Sequence, residues 1–215
     1  MLKEYQNLTS YTDGHQQYER PPINITGQQV ALGPLCRELI PLYQQWFNNF
    51  ELLRTLDRHL KPVSLDQVEE WFERRAKPAH IGSVVVFTIY ECATWKPIGN
   101  TALENVNLRD RTAEFGVFIG ETDLQGHGYG TEATHLMLDY AFTGLGLQNI
   151  MLRVWEYNFA GIRVYEKAGF SEFGRRTKAH MMNGQWWDEI YMQALSDEFE
   201  SPVLDTIFDS GADIR

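Results

Sequence analysis

The chain has 215 residues, 43% of them hydrophobic and 22% charged, with a formal net charge of −10. That is one ordinary domain, or one with appendages, and it is long enough to bury a core without disulfides or a structural metal. The composition excludes wholesale disorder and fibrous repeats. With a pI near 5.1, the acidity argues against gripping nucleic acid or an anionic membrane surface by general electrostatics, whereas a cationic ligand suits it. Cys36 and Cys92 share no metal or C-x-x-C spacing and are expected as reduced thiols. Residues 1–20 lack an apolar signal region, and the apolar stretch from Ile81 to Tyr90 is too short and broken to span a bilayer. The protein is therefore expected to be soluble and cytoplasmic.

In chain order, residues 1–22 form a polar arm ending at Pro21-Pro22, expected to be mobile or a lid. A strand at Gln29–Leu32 precedes a helix at about Leu35–Phe47. A second helix starts at Ser64-Leu65-Asp66-Gln67, which has capping-box spacing, and runs towards Ala76. Three strands, Val84–Glu91, Ile98–Val106 and Thr112–Ile119, are rich in Val, Ile, Thr and Phe and suggest an antiparallel meander. A glycine-rich loop, Gln125–Gly130, opens a helix ending near Gly144. A strand at Ile150–Trp155, a helix at about Asn158–Ala168 and two strands flanking the turn Asn183-Gly184 complete a body spanning residues 23–195. Residues 196–215 carry six acids and one base, half of the net charge. They are expected to be a solvated tail, although Val203, Leu204, Ile207 and Phe208 recur at helical spacing and would suit docking on a neighbour.

The loop Gln125-Gly126-His127-Gly128-Tyr129-Gly130-Thr131 lies between a strand and a helix. There the first helical N–H groups are unpaired and the dipole presents its positive end, and glycines let an anion approach the backbone closely. It is not a nucleotide P-loop, which needs Lys then Ser or Thr, nor a Rossmann fingerprint, whose last glycine is replaced by Thr131.

Gln125-x-x-Gly128-x-Gly130 resembles the Gln/Arg-x-x-Gly-x-Gly/Ala signature of the GNAT superfamily, which transfers acyl groups from acyl-coenzyme A to amines. Three further blocks are similar to that family, in order: Thr112–Ile119, Val154-Trp155-Glu156-Tyr157-Asn158, and Val164-Tyr165-Glu166-Lys167-Ala168-Gly169-Phe170. Gly161 departs from the usual Ala or Ser and is expected to loosen the helix start. The chain looks most like the branch of ribosomal-protein N-terminal and spermidine N-acetyltransferases. The resemblance implies an α/β (α+β) fold with a mixed, mostly antiparallel sheet of about seven strands flanked by about four helices. It implies acetyl-CoA as co-substrate and a primary amine as acceptor, a polyamine, protein N-terminus or antibiotic among them. A homodimer is among the assemblies open to it. The reading from another class is a non-catalytic acyl-CoA sensor on the same fold.

By the same resemblance, the amides of Gly126, His127, Gly128, Tyr129, Gly130 and Thr131 hold the coenzyme diphosphate behind Gln125. The strand before the loop bulges and splays, freeing backbone groups around Phe118, Ile119 and Gly120 for pantetheine, with the Phe118 N–H facing the thioester oxygen. Asn158 contacts the pantetheine arm or caps its helix. Tyr165 protonates the departing thiolate, or is simply a half-buried aromatic.

Aminolysis needs a neutral amine: at pH 7, deprotonating one of pKa near 10.4 costs about 4.6 kcal/mol, and one near 7.8 only about 1. Glu114 is the candidate general base through a water, the other reading being a surface Glu pairing across strands. Trp46, Phe47, Trp71 and Phe72 are candidates for the acceptor pocket or for core. Trp186-Trp187-Asp188-Glu189 sets two acids beside two indoles, which would suit an ammonium group. The six histidines show no ligand spacing, so no metal is expected.

Overall fold

The computed structural model describes residues 9–12, 15–56, 60–76 and 84–209. In chain order the elements are β1 (Thr9–Thr12), β2 (His15–Tyr18), β3 (Ile25–Thr26), β4 (Val30–Pro34), α1 (Ile40–Phe47), α2 (Phe50–Leu53) and α3 (Leu65–Ala76). They continue with β5 (Val84–Glu91), β6 (Pro97–Asn107), β7 (Thr112–Ile119), α4 (Tyr129–Asp139), β8 (Asn149–Trp155) and α5 (Phe159–Lys167). β9 (Ser171–Met182), β10 (Gln185–Leu195) and α6 (Leu204–Asp209) close the chain. Eight strands form one sheet in the order β3-β4-β5-β6-β7-β8-β10-β9, one more than expected because β3 adds a two-residue edge. Every pairing in it is antiparallel except β7 with β8.

The local chemistry explains most boundaries. Ser64 and Gln67 cap α3 reciprocally, at 3.0 and 3.3 Å. Asn183 and Gly184 take φ of 52° and 74°, the paired left-handed values of a tight hairpin turn between β9 and β10. The first helix starts later than expected, at Ile40, after a 3₁₀ turn at Arg37–Leu39. Pro41, with no N–H to donate, sits in its first turn. The short α2 has no apolar periodicity to announce it and is held by Asn49, whose Oδ1 accepts from Glu51 and Leu52.

Side-chain alternation along the strands divides the core in two. Ala113, Phe115 and Ile119 of β7 join Ile150, Leu152 and Val154 of β8 in the larger core, with α4 and α5. The opposite face, with Phe118, packs against Tyr43, Trp46 and Phe47 of α1 and Trp71 and Phe72 of α3. The candidate pocket aromatics are thus mainly core residues.

Both appendages contain ordered elements among the described residues. Within the arm, β1 and β2 pair as a hairpin, and Tyr18 N–H donates to Thr94 O at 3.1 Å. In the acidic tail, Leu204 is buried in the larger core with Val203 beside it, so the segment docks on its own chain. The anchor is Asp139, fully buried, whose Oδ2 accepts from Val203 N at 3.0 Å and Leu204 N at 2.9 Å. Its Oδ1 accepts from the Ser201 hydroxyl at 2.6 Å. Residues 210–215 lie outside the described residues.

Asp139→Ala removes both acceptor oxygens, and with them three hydrogen bonds, while their donors stay at least partly buried. It should cost about 2–4 kcal/mol, from the worth of hydrogen bonds to a charged group. Chemical unfolding measures the loss, and proteolysis should cut first within residues 199–209; unchanged stability would show that the tail is not anchored there.

Candidate active site

β7 and β8 run side by side only briefly. Their parallel register holds at Thr112–Asn149, Ala113–Ile150 and Glu114–Met151, and then the strands part. Beyond Glu114 the β8-facing edge of β7 has no strand partner among the described residues. Phe115, the next residue, stacks on Phe170 at 5.7 Å and meets Tyr165 edge-on at 6.2 Å, so an aromatic trio fills the wedge.

Ladder parity decides which backbone groups face the gap. Gly120 N–H donates to Ile98 O on β6 at 2.8 Å, and Asn100 pairs with Phe118 in the same register. Even-numbered residues of β7 therefore direct their N–H and C=O towards β6. On the other edge, Arg111 O accepts from Asn149 N of β8 at 3.2 Å, which sets the odd-numbered residues towards β8. The Phe118 and Gly120 amides are thus turned away from the gap, contrary to expectation, and Val117 and Ile119 face it. The shift is one residue, within a strand whose periodicity alone gives no edge preference. Gly120 has another reason to be glycine: a Cβ would run into the buried Trp46 indole.

Gln125 closes the end of this edge, its Nε2 donating to Ile119 O at 2.9 Å. The loop that follows is built on Gly126 and Gly128, with φ of 81° and 90°. These left-handed values cost a residue with a Cβ roughly 1–2 kcal/mol. Gly128 is the N-cap of α4, and the first bond into the helix runs from Glu132 N to Gly128 O at 3.1 Å. Among the described residues, no group of the protein pairs with the amides of Gly126, His127, Gly128, Tyr129, Gly130 or Thr131. Gly130 lies against Val164, letting α4 approach α5.

Glu132, which sequence reasoning passed over, fixes this helix start. Its carboxylate accepts from Gln28 N and, at 3.0 and 3.1 Å, from Gln29 N in the β3–β4 turn. The sequence signal was an acid in the first turn of the helix opened by the glycine loop. Tyr129 is also tied down, its hydroxyl donating to Glu91 at 2.7 Å; that bond pushes its pKa up to about 12.

The gap opens into a cleft of about 210 Å³, lined among others by Glu114, Val117, Phe118, Asn158 and Tyr165, with Trp71, Arg75, Asn100, Glu104 and Arg153. It brings together residues from three of the four blocks singled out in sequence, the glycine loop lying outside its lining. Tyr165 is 8% exposed, and burial pushes its pKa up to about 12. Asn158 Oδ1 accepts from Gly161 N at 3.0 Å and its Nδ2 donates to Thr55 O at 3.3 Å. A Cβ at Gly161 would stand 2.6 Å from that Nδ2. The departure at Gly161 therefore leaves room for the Asn158 cap. Glu114 lies 3.8 Å from Arg153.

The Trp186–Glu189 segment does not serve as an ammonium box. Glu189 is buried at 3% exposure and engaged by Tyr191, Arg153 and Arg176, while Asp188 accepts from Lys178 N and pairs with Arg175. Of the four candidate aromatics on α1 and α3, Trp71 alone reaches the cleft. Among the described residues, no cluster of His, Cys, Asp and Glu could hold a metal ion.

A family model described as an acetyltransferase (GNAT) domain matches residues 29–171, well over half of the chain. The chain belongs to the GNAT acetyltransferase family. It is an acetyl-CoA-dependent N-acetyltransferase, with the mixed, mostly antiparallel fold of that family, and no observation favours a non-catalytic sensor. It is 32% identical to spermidine N(1)-acetyltransferase of Escherichia coli over 78% of this chain and 86% of the relative. It is 29% identical to a probable N-acetyltransferase of Bacillus subtilis over 83% of this chain and 94% of that one. A crystal structure of spermidine N-acetyltransferase from Vibrio cholerae, in complex with CoA and spermine, superposes with a TM-score of 0.71 at 27% identity. It covers 79% of this chain and 97% of that one.

Gly128→Ala forces a Cβ into the left-handed region at the mouth of this GNAT loop. Acetyl-CoA affinity should fall about tenfold, the equivalent of the strain. Calorimetry measures it; unchanged affinity would show that the loop tolerates another conformation while binding.

Proposed function

We propose that the chain transfers acetyl directly from acetyl-CoA to a primary amine in a ternary complex, with the split between β7 and β8 as the binding slot. What carries this reading is that Glu114, Val117, Asn158 and Tyr165 line one cleft, and that Gln125 ties an unpaired run of loop amides to the end of the same strand edge. The amides of residues 126–131 hold the diphosphate, with the α4 dipole behind them. The pantetheine arm enters the split past Asn158 and pairs with the odd-numbered edge of β7, at Val117 and Ile119. The Val117 N–H takes the part first assigned to Phe118 and polarises the thioester oxygen as it gains charge.

Glu114 removes the amine proton through a water, and the neutral nitrogen attacks the carbonyl carbon. As the C–S bond breaks, the thiolate takes a proton from Tyr165, and the proton that the acylated nitrogen must still lose restores the tyrosine hydroxyl by way of water. With its pKa pushed up to about 12, that hydroxyl is protonated throughout the neutral range. The high-pH limb of the rate therefore should not reflect Tyr165 below about pH 11.

We also place the protein in the cytoplasm. This accords with two free thiols, Cys36 and Cys92, the first pushed up to about 11 mainly by burial and so inert. No helix of the described residues is long and apolar enough to cross a membrane. Self-association is part of the same reading; the Vibrio cholerae relative has a dodecameric structure.

Tyr165→Phe should bind acetyl-CoA normally by calorimetry and lose about a hundredfold or more in thiol release; equal turnover would remove Tyr165 from the mechanism. Glu114→Gln should shift the pH optimum upward, because the amine must then lose its proton unaided. An unchanged profile would exclude Glu114 as base.

A further inference from the structure

Gly116 in the cleft has no role in the fold that would explain it. A glycine inside a strand marks a bulge, a tight bend, or a place where a ligand or another backbone comes close. Gly116 lies midway along β7, a strand with neighbours on both sides in the sheet, and yet it is exposed. Its pairing with Ala102 belongs to an unbroken register that runs from Gly99–Ile119 to Glu104–Glu114, so β7 neither bulges nor bends away from β6 there. Its carbonyl accepts from the Thr101 hydroxyl at 3.1 Å, and its φ lies outside the left-handed region. Beyond its chain neighbours, no described atom stands within 4 Å of the point a Cβ would occupy. Every other described glycine has a left-handed φ or an atom of the fold within that distance. The fold therefore gains nothing from the missing side chain, and it gives up the restraint that a Cβ places on the unfolded chain. Close approach of a ligand is what remains.

The position fits that role. Glu114, Gly116 and Phe118 alternate onto the face of the sheet packed by α1 and α3, and all three line the cleft. Glu104, Ala102 and Asn100 stand opposite them on β6. The middle pair, Ala102 and Gly116, contributes a single methyl group between the two carboxylates on one side and the Phe118 ring on the other. In the acetyl-transfer reading, Glu114 is the base and the Val117 N–H polarises the thioester oxygen. The two are three residues apart, roughly 10 Å of strand. A nitrogen that gives up its proton towards Glu114 through a water, and attacks the carbon held at Val117, has residue 116 beneath it. So does the carbon that the nitrogen carries.

We infer that Gly116 is a specificity-determining residue: the missing side chain at this position sets how much bulk the acceptor can carry on the carbon next to its nitrogen. It acts on the amine side and not on the coenzyme slot, which opens along the other edge of β7. This rests on the acetyl-transfer reading and adds to it a steric limit that holds for any chemical class of acceptor.

Gly116→Ala in the full chain tests it. Thiol release at saturating acetyl-CoA is measured for three pairs, each an unbranched amine and a relative branched beside the nitrogen: n-propylamine and isopropylamine, glycinamide and valinamide, spermidine and 1-methylspermidine. The members of a pair differ in intrinsic reactivity, so the deciding quantity is how the ratio of kcat/KM, branched over unbranched, changes from parent to variant. In each pair that the parent turns over, the ratio should fall about ten- to a hundredfold, the range for one carbon too many in a fitted pocket. Acetyl-CoA affinity by calorimetry should be retained. The midpoint of chemical unfolding should stay or rise, because the new Cβ meets open space. An unchanged ratio would overturn the inference, as would a parent that acetylates only the unbranched member of every pair. An equal loss for both members also overturns it, by placing a water or the acetyl group over residue 116, and a loss of acetyl-CoA binding does so by placing the coenzyme there. A destabilised variant overturns it too, since the room at residue 116 would then be needed by the fold. In all these cases acetyl transfer stands as long as the parent releases thiol; no release by the parent with any amine overturns both.

Discussion

The structure depends on one interrupted ladder. β7 is paired with β6 along nearly all of one edge and with β8 for only three residues on the other. A backbone edge inside a sheet normally finds a partner, because an unpaired buried amide is costly. Here the unpaired stretch opens into a cleft, and Phe115, Tyr165 and Phe170 pack into the wedge from the core side. The same divergence therefore gives a slot for an extended, amide-bearing chain and sets a tyrosine at its base.

Other contacts hold the two ends of the slot. At the mouth, Gln125 ties the loop to Ile119, and Glu132 ties the start of α4 to the β3–β4 turn. At the far wall, Asn158 spans from α5 to Thr55, linking the two sides of the cleft through one amide group. Tyr157 adds a second tie to the same segment, its hydroxyl donating to Arg54 O at 2.6 Å. None of these groups need touch a reacting atom. They keep flexible segments in register with a rigid sheet, which is what a transfer between two bound substrates requires.

Much of this was legible in the residues. Strand boundaries followed from β-branched runs and turn residues, so Val84–Glu91 and Thr112–Ile119 fall where the pattern puts them. The glycine loop was legible because left-handed φ values and free helix-start amides leave a mark on composition. What stayed hidden was long-range. Which edge of β7 an amide faces depends on pairing partners, so the pattern of one strand does not distinguish Phe118, turned towards β6, from Val117, turned towards the gap. Asp139 looked like any helical acid until the tail came back to it across more than sixty positions.

The claim at the centre is that the odd-numbered edge of β7 and the loop amides take up the coenzyme. Residue-resolved amide hydrogen exchange, with and without CoA, tests it most directly. Phe118 and Gly120, already bonded to β6, should exchange slowly in both states, while Val117, Ile119 and residues 126–131 should be fast alone and strongly slowed by CoA. Binding that leaves Val117 and the loop amides unprotected, or that protects a different strand edge, would contradict the account.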